Sequence, residues 1–233
     1  MKYSKILLKL SGEALSDSGF GYSEKVLNEY CSEIGELVKN NVRVGIVVGG
    51  GNLFRGLKGL DKGFDRVKGD YMGMLATVMN GLALQSTFET LGIKAKVFSS
   101  TFMEPYAERY IPHRAVEYLE KSYVCIFSGG TSNPYFTTDS AAALRAVEIK
   151  ADILLKGTNV DGVYSDDPRK NPDAQLFTKT TFKEVIEKQL KVMDLTAFTL
   201  CYENNMPIRV FNIHKRGLLK SIIEGENIGT LIE

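Results

Sequence analysis

The chain has 233 residues, with 29 basic and 28 acidic side chains and a net charge of +1, so no bulk field of either sign points to an extended polyanion or a charged membrane surface. With 44% hydrophobic and 24% charged residues, the composition excludes intrinsic disorder and can bury a substantial core as one domain over 1–233. The three cysteines, Cys31, Cys125 and Cys201, lie far apart with no C-x-x-C and no nearby histidine pair, which argues against a disulfide framework or a zinc site and predicts buried thiols in a reducing, cytoplasmic compartment.

Residues 5–10 read as a first buried strand, and Lys9 interrupts its apolar run. The start is basic then apolar like a leader, but no small-residue cleavage site follows. Ser23 is placed to cap a helix whose Val26, Leu27, Tyr30, Ile34, Leu37 and Val38 share one stripe, ending near Asn40 and Asn41. A strand at 43–48 follows, then a helix over about 68–91 with Met72, Leu75, Met79, Leu82 and Ala83 on its buried side. Short β-branched runs at 94–98, 123–127, 153–156 and 208–211 read as further strands. Helices are expected after Asp139, Thr181 and Asp194, and 160–178, rich in Asp, Pro and Asn, reads as a long loop or hairpin. This alternation predicts an α/β protein: a three-layer αβα sandwich with a largely parallel central sheet and ligands beyond the carboxyl ends of its strands. No apolar stretch reaches the roughly 18 residues of a membrane-spanning helix.

Glycine is in excess: 22 occur, where average usage of roughly 7% gives about 16. Nine of them fall within 49–81. Three predicted strands end in glycine-bearing loops, at Ser11-Gly12, at Gly49-Gly50-Gly51 and at Gly129-Gly130. Consecutive glycines let backbone N–H groups turn toward an anion without Cβ interference, although a tight strand-to-helix turn alone can also require them. Neither the G-x-x-x-x-G-K-[ST] loop nor a dinucleotide fingerprint is present. Lys9, at the end of a buried strand, calls for an anionic partner, and a phosphate would serve. Arg55 can clamp phosphate oxygens through two parallel N–H groups or remain a solvated loop residue. Asp70 reads either as a helix cap or as an acceptor for ribose hydroxyls. Thr137, Thr138 and Asp139 place hydroxyls and a carboxylate at a positive helix end, where Asp139 could cap, hold magnesium through water or orient the lysine. His113 and His214 are isolated, and no catalytic triad can be assembled from them.

The ordered segments 9–15, 49–56, 69–81, 128–139 and 192–198 resemble those of the bacterial UMP kinases of the amino acid kinase family, over essentially the whole chain. The resemblance implies an amino acid kinase-like fold and transfer of the ATP γ-phosphoryl group to UMP in de novo pyrimidine nucleotide synthesis. Catalysis would rest on Lys9, Arg55, Asp139 and Asp194. ATP would be held by Lys9, Leu10, Ser11, Gly12, Gly51, Arg55, Thr158, Asn159, Tyr164 and Asp167, with Mg²⁺ arriving on its phosphates. UMP would be held by Gly50, Asp70, Thr131, Ser132, Asn133, Pro134, Tyr135, Phe136, Thr137 and Thr138. Asp17, Ser18, Gly19, Phe20, Gly21 and Tyr22 resemble a segment associated with activation by GTP, one residue shorter than in some members. Members are typically homohexamers, often inhibited by UTP, and the apolar side of the 70–81 helix could serve subunit packing or the core. Two other readings remain: a family phosphotransferase acting on a carboxylate or carbamate, and a non-catalytic nucleotide- or anion-binding relative.

Overall fold

The computed structural model describes residues 1–54, 63 and 65–233. In chain order the elements are β1 (Lys5–Leu10), a 3-10 turn (Gly12–Leu15), α1 (Glu24–Lys39), β2 (Arg43–Val48), α2 (Arg66–Thr90), β3 (Ala95–Ser99), β4 (Glu108–Arg109), α3 (Pro112–Glu120), β5 (Val124–Ser128), α4 (Thr138–Glu148), β6 (Ile153–Thr158), β7 (Val163–Tyr164), β8 (Leu176–Phe177), β9 (Lys179–Thr180), α5 (Phe182–Glu187), α6 (Leu195–Glu203), β10 (Ile208–Asn212), α7 (Leu218–Glu224) and β11 (Thr230–Ile232). The six strands expected from sequence are all present; β1 and β2 have the expected bounds, and the other four differ at their ends by a residue or two. The additional strands are two or three residues long, too short for side-chain periodicity to mark them.

Among the described residues, nine strands form one sheet in the order β4-β3-β5-β2-β1-β6-β10-β11-β9. Every pairing is parallel except β10 with β11. The expected loop or hairpin at 160–178 contains β7 and β8, an antiparallel pair outside the main sheet. Alternation along each strand divides the core between two faces. Ile6, Leu8 and Leu10 of β1 and Ile153 and Leu155 of β6 pack with residues of α1, α2 and α7, such as Tyr30, Ile34, Phe88 and Ile222. Leu7 and Leu154 belong to the opposite core, with Ala115 and Leu119 of α3, the alanines of α4, Val185 of α5 and Phe198 of α6. Helices therefore cover both faces, as the three-layer prediction requires. No helix among the described residues is long and apolar enough to cross a membrane.

Local capping follows the expectations at three helix starts. The Ser23 side chain accepts from Val26 N, Thr181 and Glu184 form a reciprocal capping box, and Asp194 accepts from Ala197 N at 2.9 Å. Two of the alternatives weighed from sequence are corrected. Thr137, not Asp139, caps α4, accepting from Asp139 N and Ser140 N, because the helix begins at Thr138, two residues before the expected start at Ser140. Asp70 is not a cap either: α2 starts at Arg66 behind Asp65, so Asp70 stands a turn inside it.

The buried side expected for α2 is also overturned. Met72, Leu75, Met79 and Leu82 are exposed at 37%, 52%, 55% and 36%, and Ala83 is half-buried. The inward side carries Ala76, Thr77, Asn80, Gly81, Leu84 and Phe88. Close approach to the sheet explains the reversal, since a Cβ on Gly81 would lie 2.4 Å from Ser128 Oγ and 3.3 Å from Val97 Cγ1. Only small residues fit at that crossing, so Met72, Leu75, Met79 and Leu82 face away, while Leu84 and Phe88 enter the core further along the helix.

Candidate active site

Parity and register bring two lysines together. Lys9 follows Leu7 by two residues on β1, and Lys156 follows Leu154 by two on β6, so both point to the face covered by α4. The strands pair in parallel with Lys9 opposite Lys156. Asp139, in the first turn of α4, takes both cations. Lys9 Nζ lies 3.1 Å from Asp139 Oδ1 as an ionic contact outside hydrogen-bond geometry, and Lys156 Nζ donates to Asp139 Oδ2 at 2.5 Å and to Val192 O at 2.7 Å. The three side chains keep only 15%, 11% and 15% of their surface for Lys9, Lys156 and Asp139.

Burial alone would push the Asp139 carboxyl up, but the flanking Lys9 and Lys156 ammoniums outweigh it and hold the carboxyl below its usual range. Lys156 moves down, first because burial disfavours its charge and then because Lys9 repels it, with Asp139 opposing both. Lys9 and Lys156 share the Asp139 carboxylate, with Asp194 also acting on Lys156, and both ammoniums lie at the carboxyl end of the central strands. An anion brought there meets a prepaid positive field.

Asp194 braces the neighbouring helix ends. Beyond capping α6, it accepts from Thr137 Oγ1 and from Ser140 Oγ at 3.1 Å. Its oxygens thereby tie α6 to the first turn of α4. Beside this junction lies a largely apolar cavity of about 550 Å³ lined by residues including Asp139, Val192, Met193, Asp194 and Phe198.

The three glycine loops follow β1, β2 and β5, neighbours in the sheet, and two of them touch. A Cβ on Gly12 would come within 2.5 Å of Gly49 O and 2.8 Å of Gly51 N, so glycine is required for that approach. Helix α2 joins the second loop to the third: Gly50 packs on Gly73 and Ala76, while Thr77 Oγ1 accepts from Gly129 N at 2.8 Å. Asp70, further up α2, accepts from Tyr135 N at 2.8 Å and from Arg66 Nε at 2.9 Å. It thus fastens α2 to the 131–136 segment, whose Ser132 and Tyr135 have φ of 65° and 72°. Tyr135 and Phe136 are exposed at 68% and 47%.

Residues 4–212 match the family model described as the amino acid kinase family. The chain belongs to the amino acid kinase family. It is 55% identical to a uridylate kinase of Parabacteroides distasonis, over 99% of this chain and 98% of that protein. Among solved structures, a UMP kinase from Bacillus anthracis matches with a TM-score of 0.97 at 37% identity, over 100% of this chain and 97% of that one. One from Ureaplasma parvum matches with a TM-score of 0.91 at 38% identity, over 100% of both chains.

Within this amino acid kinase chain, the site residues inferred from sequence fall into three groups. Lys9, Leu10, Ser11, Gly12, Gly50, Gly51, Thr137, Thr138, Asp139 and Asp194 gather at the carboxyl ends of the central strands. Asp70 and Thr131, Ser132, Asn133, Pro134, Tyr135 and Phe136 form a connected flank through α2. On the other side, Thr158 ends β6, Asn159 Oδ1 lies 2.9 Å from His214 Nε2, Tyr164 sits on β7, and Asp167 caps a turn by accepting from Arg169 N at 3.0 Å. Arg55 lies outside the described residues. Asp17, Ser18, Gly19, Phe20, Gly21 and Tyr22 follow the 3-10 turn and pack beside the second glycine loop through Gly21 and Asn52.

Lys156 is the participant that sequence reasoning missed. Its signal was present, a lysine in a buried strand two residues after an inward leucine, but it coincided with the apparent strand end. Arg66 and Thr77 were likewise passed over, as helical residues without a distinctive pattern.

Proposed function

We propose that the protein transfers the γ-phosphoryl group of ATP to UMP, giving UDP and ADP, within de novo pyrimidine nucleotide synthesis. The observation that carries this reading is the Lys9–Asp139–Lys156 cluster, set at the carboxyl ends of β1 and β6 beside the contacting glycine loops. Phosphoryl transfer asks chiefly for alignment and for neutralisation of the equatorial oxygens. Lys9 and Lys156 supply that neutralisation, and Asp139 holds both ammoniums in place without cancelling their combined charge. The attacking UMP phosphate oxygen is already anionic, so the chain needs no general base.

The residue assignments are those that the resemblance implies. Leu10, Ser11, Gly12 and Gly51 present backbone to the ATP phosphates, and Arg55, outside the described residues, keeps the phosphate role that its motif implies. Thr158, Asn159, Tyr164 and Asp167 line the base and ribose side of ATP. Gly50, Asp70 and residues 131–138 receive UMP, with Asp70 taking ribose hydroxyls and Tyr135 and Phe136 offering exposed rings to a base. Both oxygens of Asp194 accept from protein donors, and in Asp139 Oδ2 accepts from Lys156 while Oδ1 faces the Lys9 ammonium as an ion pair. That donor set suits magnesium carried on the ATP phosphates rather than held in a protein cage. Bound there, the ion would offset charge on the β- and γ-phosphate oxygens.

The assembly we propose is a homohexamer in the cytoplasm, with the exposed α2 stripe as one contact between copies. GTP as activator acting near 17–22 and UTP as inhibitor complete the reading, and the continuous central sheet supports 1–233 as one domain. The deciding experiment is a coupled assay with ATP and Mg²⁺ against UMP, CMP, aspartate, glutamate and carbamate. ADP release with UMP well above the others is expected; release with an acid or carbamate only, or with none, overturns the assignment.

A further inference from the structure

Asn52 and Asn80 form a reciprocal amide pair that no step above uses. Both are 0% exposed. Asn80 Nδ2 donates to Asn52 Oδ1 at 2.7 Å, and Asn52 Nδ2 returns a bond to Asn80 Oδ1 at 3.1 Å. Each amide spends its second N–H on a backbone carbonyl: Asn80 on Gly49 O at 2.6 Å, Asn52 on Gly21 O at 2.9 Å. The orientation is determined by chemistry, since only N–H groups can face two carbonyl oxygens. Gly21 N in turn donates to Asn52 O at 3.0 Å. The pair therefore joins three pieces of chain: the second glycine loop, the inward side of α2 and the 17–22 segment.

We infer that Asn52 and Asn80 are positioning residues, which set the Gly49 carbonyl and so the loop that receives nucleotide phosphates, and couple that loop to the 17–22 segment. A fully buried and fully paired amide couple is costly to disturb, because opening either bond leaves an unsatisfied polar group in the core. A displacement of the glycine loop on nucleotide binding is thus passed through Asn80 and Asn52 to Gly21 rather than absorbed locally. The inference rests on the proposed role of 49–51 as a nucleotide loop.

Near-isosteric variants cut the two ends separately. Asn80→Asp removes the donor to Gly49 O together with the one to Asn52 Oδ1, and Asn52→Asp removes the donor to Gly21 O together with the one to Asn80 Oδ1, while still accepting from Asn80. For Asn80→Asp, the KM for ATP is expected to rise about tenfold with kcat changed less than ~3-fold, the scale on which the lost donation to Gly49 O would act on binding, the other lost bond acting on stability. Hydrogen exchange on the unaltered protein, with and without a non-hydrolysable ATP analogue, is expected to slow at 49–54 and at 17–22 together. In Asn52→Asp the slowing at 17–22 falls at least ~3-fold while that at 49–54 persists.

A folded Asn80→Asp with an unchanged KM, or slowing at 49–54 alone in the parent protein, overturns the inference. If either variant fails to fold, exchange on the parent protein decides. Should the analogue slow neither segment, UDP formation by the same preparation separates the causes: with UDP formed only the coupling falls, and without it the kinase reading falls as well.

Discussion

At the scale of single residues, the arrangement of charge around Asp139 separates catalysis from stability. Lys9→Ala leaves Lys156 on the carboxylate, so folding should be little changed, whereas kcat should fall at least ~100-fold, the scale of losing one preorganised electrostatic donor. Near-normal turnover by that folded variant would defeat the role given to Lys9. Asp139→Asn strips the counterion from two buried ammoniums and should cost about 3–5 kcal/mol in denaturant unfolding. Because Lys9 and Lys156 hold the folded carboxyl below the usual carboxylate range, its stabilisation is complete above that range and is lost as pH falls through the folded value. Lys9 was legible in the sequence as a cation stranded among apolar residues. Lys156 carried a similar local signal at an apparent strand end, but its role depends on standing opposite Lys9, and a register between strands separated by more than a hundred residues leaves no local trace.

At the scale of elements, α2 is the informative case. Its apolar periodicity was legible, but its direction was not: a stripe of Met72, Leu75, Met79 and Leu82 has the same spacing whether it faces the core or a second copy. Contact with the sheet decides, since Gly81 and Ala76 permit an approach that the methionines would block. An exposed apolar stripe of this kind marks an interaction surface. Leu75→Asp should therefore shift the sedimentation of the protein toward smaller species while each subunit stays folded; an unchanged sedimentation coefficient would remove α2 from the interface. The helix starts show the converse. Ser23, Thr181 and Asp194 cap as their sequences suggest because capping is settled within one turn, and Asp139 was misjudged only because Thr137, two residues earlier, is also a capping residue.

At the scale of the whole molecule, the glycine loops follow adjacent strands, the second touching the first and resting with the third on α2, so nucleotide binding should stabilise the fold broadly. A non-hydrolysable ATP analogue at 100 times its Kd adds about 2.7 kcal/mol by mass action. For a chain of this length that amounts to a rise in Tm of roughly 5–10 °C. A nucleotide-independent Tm at saturating concentration would mean that the loops do not form the site. The near-zero net charge is consistent with this picture, because Lys9, Lys156 and backbone N–H groups provide a local positive field without a basic surface.

The sequence by itself determined the alternation of strands and helices, the caps, the glycine loops and the family, since each is written in short-range pattern or in ordered motifs. The tertiary structure alone decided the pairing of Lys9 with Lys156 on Asp139, the outward face of α2 and the Asn52–Asn80 tie. Those depend on strand register, on how closely two surfaces can approach and on polar groups having to find partners once water is excluded, and none of these is a property of neighbouring residues in the chain.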